Sequence, residues 1–214
     1  MTARSDEKRQ QILSATLDVF LANGYVGTST DQIAAASSIS KQTIYKYFSD
    51  KQGLFTALIT DLADGIHNPF EQLIPDMTKS PDAQSAVTLL AEQFTRSILS
   101  PRVQEIRRLV IAEATRFPEL GRLYWQSGFE RMLDSMAACL LILSGRGLLS
   151  TPDPLLAAQH LTGMLLWIPS NRIMFTGEAG TPSRKELTHY INQGARAFVR
   201  AYAPDRAYSP DKKE

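Results

Sequence analysis

Apolar residues recur at three- and four-residue steps along nearly the whole of this 214-residue chain, and no stretch keeps the two-residue alternation of a strand. The short candidates at 26–30 and 148–151 contain Gly, Ser and Thr that cut them down to turns. The fold class is therefore all-α. A first helix from about Asp6 to Asn23 carries Ile12, Leu13, Thr16, Leu17, Val19, Phe20 and Leu21 on a wide face, and Asn23-Gly24 closes it. Ser29 with Gln32 is a capping-box pattern that opens a short helix through Ile33, Ala34 and Ala35, and Ser37-Ser38 break it. Ser40 caps another short helix with Ile44, Tyr45 and Phe48. Asp50 caps a fourth with Leu54, Phe55, Leu58, Ile59 and Leu62. The pattern stops around Asn68-Pro69, and Pro75 and Pro81 bracket a loop. The spacing thus predicts a small unit over 1–66 and a larger helical unit over 67–204, with 205–214 as a disordered tail. In the larger unit, Pro118 is expected to open one long helix ending at Gly145-Arg146-Gly147. Two more follow over about 154–175 and 183–202.

Composition narrows the function classes. At 43% hydrophobic and 21% charged, with a net charge of +1, the chain is an ordinary globular one, and no global field marks a nucleic-acid or membrane binder. The longest uncharged run, Pro154–Asn171, is interrupted by Gln159, His160, Thr162, Gly163 and Pro169, too polar for a transmembrane helix. The charged N-terminus has no apolar run behind it of signal type, so the chain reads as cytosolic with no membrane partner. His67, His160 and His189 lie far apart with no carboxylate or thiol at ligand spacing, so no metal and no cofactor are expected. Gly145-x-Gly147 lacks the third glycine and the preceding strand of a dinucleotide fingerprint. No nucleophile elbow or Walker pattern occurs, and Cys139 lies in an apolar helix as a buried, inert thiol. An enzyme is not expected.

The informative stretch is 24–55, GYVGTSTDQIAAASSISKQTIYKYFSDKQGLF. Two short helices joined by a tight turn are too small to form a core alone, but they make a helix-turn-helix whose second helix enters the major groove. That second helix is polar where an ordinary one would carry Glu, Ala and Leu. Ser40, Lys41, Gln42, Thr43, Tyr45, Lys46 and Tyr47 supply groups for base edges and phosphates, and Lys51 adds a backbone contact. The charge balance cuts the other way: residues 1–66 hold six basic and seven acidic residues, and only 41–51 is locally basic. On pattern alone, a solvated helical hairpin with incidental lysines remains the competing reading.

The order Gly24-Tyr25, Thr28-Ser29, Ile33-Ala34, Ile39-Ser40-Lys41, Thr43-Ile44-Tyr45-Lys46-Tyr47-Phe48 and Lys51 with Leu54 resembles the DNA-binding domain of the TetR family of bacterial transcriptional regulators, over Arg9 to Leu58. Ser38 departs from it, standing in the turn where the family usually has Gly. The resemblance implies that Ser29 and Thr30 hold a phosphate, and that Lys41, Gln42 and Thr43 face base edges. Tyr45 and Tyr47 would contact the backbone with Lys46 nearby, and Lys51 would bind a phosphate; for Tyr47, packing against the fourth helix is the alternative. Ile33, Ala34, Ile39, Ile44 and Phe48 hold the helices at their angle.

A two-fold operator on double-stranded DNA calls for a two-fold protein, so a homodimer is expected. Its surface is assigned to the last two helices, at Leu161, Leu165, Ile168, Leu187, Ile191, Gly194, Phe198 and Tyr202, which the family pairs in a four-helix bundle; the alternative is that these stripes face only the internal core. Again by resemblance, the middle helices enclose a site for an unidentified small-molecule effector. Its candidate lining is Phe94, Ile98, Leu109, Glu113, Phe117, Tyr124, Trp125, Phe129, Met132, Met136, Met164 and Trp167, aromatic and Met-rich enough for a bulky, largely apolar ligand. The stretch Leu109–Gln126 also resembles the C-terminal part of efflux-type regulators of the same family. The function implied is a ligand-responsive repressor. The alternatives are an activator, an effector-independent regulator, or an α-helical protein-interaction module.

Overall fold

A computed structural model describes residues 3–204; the tail expected at 205–214 lies outside the described residues. Among the described residues there are helices and no strand. The order is α1 (Ala3–Gly27), α2 (Thr30–Ser37), α3 (Lys41–Tyr47), α4 (Lys51–Lys79), α5 (Ala83–Ile98), α6 (Pro101–Ala114), α7 (Pro118–Tyr124), a π-helical turn (Trp125–Glu130), α8 (Arg131–Gly145), α9 (Pro154–Thr176), a 3-10 turn (Gly177–Gly180) and α10 (Arg184–Ala201).

The chain forms two compact units. Of the described residues, those within 1–66 and 100–131 form one, and those within 67–99 and 132–214 form the other. The first thus takes in α6, α7 and the π turn, which sequence alone assigned to the larger part. Its core is built from Ile12, Leu13 and Phe20 of α1, Ile33, Ile44, and the α4 residues Leu54, Phe55, Leu58 and Ile59, with Ile106 of α6. These are the apolar positions of the amphipathic pattern, each worth about 1.5–3 kcal/mol when buried. In the second unit α5, α9 and α10 pack together, with Val87, Leu90, Phe94, Leu161, Leu165, Ala195 and Phe198 buried. At Gly194 α10 passes close against α9: a Cβ there would lie 2.9 Å from Leu165 Cδ2.

Two boundaries differ from the sequence reading. First, α4 runs unbroken through Pro69 and Pro75 to Lys79 in place of the expected loop. An internal proline costs a helix about 3 kcal/mol. Here the same stretch buries Phe70 and Met77 completely, and Arg146 at the end of α8 donates to the carbonyls of Met77 and Ser80 at 2.7 and 2.8 Å, which satisfies orphan groups at the end of α4. Second, the helix expected from Pro118 to Gly145 is α7 and α8 separated by the π turn, in which Trp125 stacks on Phe129 with centroids 4.8 Å apart. The closure read at Asn23-Gly24 is present: Gly24 leaves the helical region at φ 71° and ψ 170°, values essentially confined to glycine, and a short turn to Gly27 follows this kink within α1.

Candidate nucleic-acid interface

Local chemistry builds the two short helices as the sequence predicts. Ser29 is in the extended region and its hydroxyl accepts from Gln32 N–H, while the Gln32 side chain accepts from Ser29 N–H at 2.7 Å, a complete capping box. The turn passes through Ser38 in the left-handed region at φ 54°, with Ile39 N–H bonded to the Ala34 carbonyl at 3.2 Å. Ser40 then caps α3, its hydroxyl accepting from Thr43 N–H at 3.2 Å and lying 2.8 Å from the Thr43 hydroxyl. Ile33 and Ile44 are fully buried and Phe48 nearly so, which sets the angle between the helices.

The outward side of this pair is polar and tied across the turn. The hydroxyls of Thr30 and Tyr45 lie 3.1 Å apart, and Lys41 Nζ donates to the Asp31 carboxylate at 2.9 Å. Gln42, Tyr45 and Lys46 are exposed. The structure therefore brings Thr30, Lys41, Gln42, Tyr45 and Lys46 to the free side of the motif. Ser29 and Ser40 contribute to the same edge while serving as caps, and Thr43 joins them beside the Ser40 hydroxyl.

Tyr47 and Lys51 are placed differently. The Tyr47 hydroxyl lies 3.2 Å from the Ser5 hydroxyl at the start of α1. Lys51 Nζ donates to the carbonyls of Tyr25 and Thr28 at 2.9 and 3.1 Å and sits 4.6 Å from the centre of the Tyr25 ring. Two of its three donors are thus spent on the end of α1, inside the unit. Tyr25 is the hub there, buried against Phe20, Phe55 and Phe117 at centroid distances of 5.5, 5.6 and 5.2 Å. Burial, first, and the charges of Asp50, Glu119 and Glu113 raise the pKa of its phenol above the ordinary value, so it stays neutral. Its N–H donates to the Glu113 carboxylate at 3.0 Å. Neither this bond nor the Asp31–Lys41 pair was anticipated: Glu113 is 88 residues from Tyr25, and Asp31 sits on a different helix from Lys41, so no periodicity links them.

Within the first unit, the candidate effector residues Leu109 and Glu113 line an open groove of about 410 Å³ with Phe20, Leu21 and Arg108. Phe117 packs on Tyr25, Trp125 and Phe129 pack on each other, and burial raises the phenol pKa of Tyr124. In the second unit Phe94, Met132 and Met136 are core, Ile98 is half-buried, and Met164 and Trp167 are exposed. Of the residues assigned to a dimer surface, Leu161, Leu165, Ile191, Gly194 and Phe198 are buried within the chain, and Leu187 and Tyr202 are half-buried, the Tyr202 hydroxyl 2.7 Å from His160 Nδ1. Only Ile168 is exposed, alongside Leu155, Leu156, Met164, Trp167 and Phe175. Helical spacing names a stripe but not its partner, and α9 is apolar on almost every side. Cys139 is buried with its thiol pushed up to about 11 by desolvation, so it carries no thiolate at neutral pH. Among the described residues no His, Cys, Asp and Glu cluster could hold a metal ion, and no helix is long and apolar enough to cross a membrane.

A capped helix pair with a left-handed turn, an apolar inner side and an outer side of Thr, Lys, Gln and Tyr defines a helix-turn-helix DNA-binding protein. Comparison with known proteins narrows the class. Residues 12–58 match the bacterial regulatory proteins of the tetR family, and 85–204 match the C-terminal domain of AefR-like transcriptional repressors. The chain belongs to the TetR family of transcriptional regulators. It is similar to a structure described as a TetR-family transcriptional regulator from Mesorhizobium loti MAFF303099, at 39% identity and a TM-score of 0.85, covering 94% of this chain and 100% of that one. It is also similar to the flavonoid-responsive regulator FrrA, at 25% identity and a TM-score of 0.74 over 94% and 99% of the two chains. The transcriptional regulator RutR of Escherichia coli strain K12 is 25% identical over 90% of this chain and 81% of its own. The regulator HbdR of Aromatoleum sp. strain CIB is 31% identical over 45% and 48%, so that match spans about half of each protein.

Proposed function

We propose that this regulator is a cytoplasmic homodimer that represses transcription by binding a palindromic operator and is released by a small, largely apolar effector. The observation that carries the reading is the outward edge of the helix-turn-helix, where Thr30, Lys41, Gln42, Tyr45 and Lys46 line the solvent side over the buried Ile33, Ile44 and Phe48. Ser29 and Thr30 hold a phosphate at the start of α2, Lys41, Gln42 and Thr43 address base edges, and Tyr45 and Lys46 reach the backbone. Lys51 acts from behind: it anchors α4 to the end of α1 and leaves one donor for a phosphate.

The dimer surface is assigned to the exposed side of α9. Trp167 is 71% and Phe175 84% exposed, beside Met164 and Ile168, an apolar array that water penalises and a second copy would cover. That assignment replaces the inward stripe of α10. The effector is assigned to the larger, AefR-like part of the chain. A relative named for its response to flavonoids favours a planar, largely apolar compound. Effector binding favours a spacing of the two recognition helices that no longer fits successive major grooves, so DNA and effector weaken each other's binding by the same factor.

Selection of bound sequences from a random duplex pool at two salt concentrations tests the reading. The expected result is a palindrome with half-site centres about 10 base pairs apart or somewhat more. Recovery of no preferred sequence at either salt would overturn it.

A further inference from the structure

The edge that reads DNA carries a negative charge in its midst. Asp31, the second residue of α2, follows Ser29 and Thr30 directly, and its carboxylate accepts the Lys41 ammonium at 2.9 Å. Both side chains are well exposed, so the pair is not needed to neutralise a buried charge. It joins α2 to α3 beside the Thr30–Tyr45 contact. A carboxylate at this place repels phosphates and competes with DNA for one of the few basic groups available, in a segment whose residues 1–66 hold more acidic than basic side chains.

Lysine is a compact point charge with three rotatable donors on a flexible stem, and left alone it goes to any phosphate it can reach. Binding of that kind releases counterions and carries no sequence information. Held by Asp31, the ammonium is directed along the motif and its charge is cancelled locally. Leaving the carboxylate then requires a replacement acceptor in the right place, and a base edge with two acceptors, such as guanine, provides one. An exposed ion pair is weak enough for the exchange to be reversible.

We propose that Asp31 is a specificity-determining residue of this DNA-binding unit, acting through Lys41: it withholds the Lys41 ammonium from phosphates, so that Lys41 adds to binding only where a base edge replaces the carboxylate. The proposal rests on the reading of Lys41 as a base-contacting residue.

The test uses the full chain as Asp31→Asn, Lys41→Ala and the double variant. Affinity is measured across a salt series for the selected operator and for a random duplex of equal length, and the bound sequences are selected again for each variant. In Asp31→Asn the affinity for random duplex rises by about 1.5- to 5-fold per protomer, the range set by an exposed pair. Its salt slope on random duplex steepens by about one unit per protomer. Operator affinity changes less, so the specificity ratio falls. In the Lys41→Ala background, Asp31→Asn moves neither the salt slope nor the ratio. Equal gains on both duplexes, or the same gain with Lys41 absent, would show that Asp31 is only a repelling charge and overturn the proposal. The underlying reading has its own readout: Lys41→Ala relaxes the selected sequence at one position of each half-site. If it weakens all sequences alike, the base-reading role of Lys41 is what fails, and the proposal falls with it.

Discussion

Replacing Gly24 with alanine tests what holds the kink near the end of α1. At φ 71° and ψ 170° the backbone lies where residues with a Cβ pay about 1–3 kcal/mol. The added Cβ would also stand 3.2 Å from Glu113 Oε1, the atom that accepts the Tyr25 N–H. That contact is tighter than an ordinary one, so the carboxylate has to give way by a few tenths of an ångström. If it gave way fully, the N–H of a buried residue would lose its partner, at about 1–3 kcal/mol more. Because Glu113 is only half-buried and can shift while keeping its bond, part of the second cost is avoided, and a loss of about 2–4 kcal/mol is expected. Urea unfolding at fixed protein concentration reads it as a lower midpoint with an unchanged slope. Glu113→Ala alone should cost less, and the double variant should cost less than the two singles together, because one substitution removes the atom with which the other clashes. A Gly24→Ala loss below about 0.5 kcal/mol, within the range of ordinary surface substitutions, would refute both the conformational requirement and the role of Glu113.

Ser38→Gly should stabilise the protein by about 0.5–1 kcal/mol, because Ser38 closes α2 at φ 54° where glycine carries no Cβ penalty; a thermal midpoint no higher than the parent's would refute this. Lys51→Met, which keeps the stem and removes the ammonium, should destabilise the DNA-free protein by about 1–3 kcal/mol through the carbonyls of Tyr25 and Thr28. A variant of parental stability with a salt slope reduced by a full unit would instead make Lys51 purely a phosphate contact. Glu186, in the capping box of α10, has its carboxyl held down to about 2, chiefly by the Ser183 N–H, then by the Ser183 hydroxyl and Arg172. A depressed acid stabilises the fold above its unfolded value, near 4.5, and that contribution disappears as pH falls from there through 2. Glu186→Gln should accordingly be less stable than the parent at neutral pH, with the difference closing toward pH 2; a gap independent of pH would contradict the assignment.

Much of the fold was legible because the signals are local. Helix period, the Ser29 and Ser40 caps and the Gly24 closure act over three or four residues, so the all-helical class, the short polar helix and the family resemblance could be read directly. Where the proline rule ended the helix around Asn68-Pro69 and bracketed a loop with Pro75 and Pro81, the burial of Phe70 and Met77 and the Arg146 clasp carried α4 on to Lys79. A single long helix was expected from Pro118, but a π turn interrupts it. The spacing of Tyr124, Trp125 and Phe129 gives no periodic sign of that extra residue per turn.

The amino-acid sequence by itself determined the all-helical class, most helix starts and which short helix carries groups suited to DNA, because caps, turns and hydrophobic period depend on neighbours in the chain. Tertiary structure alone decided the partners. It turned Ile191, Gly194 and Phe198 inward and left Trp167 and Phe175 outside, committed Lys51 to the end of α1, and set Asp31 against Lys41. Those outcomes depend on which helix faces meet. An apolar stripe or a lone charge specifies that it needs a partner, while the identity of that partner comes from contacts between residues tens of positions apart.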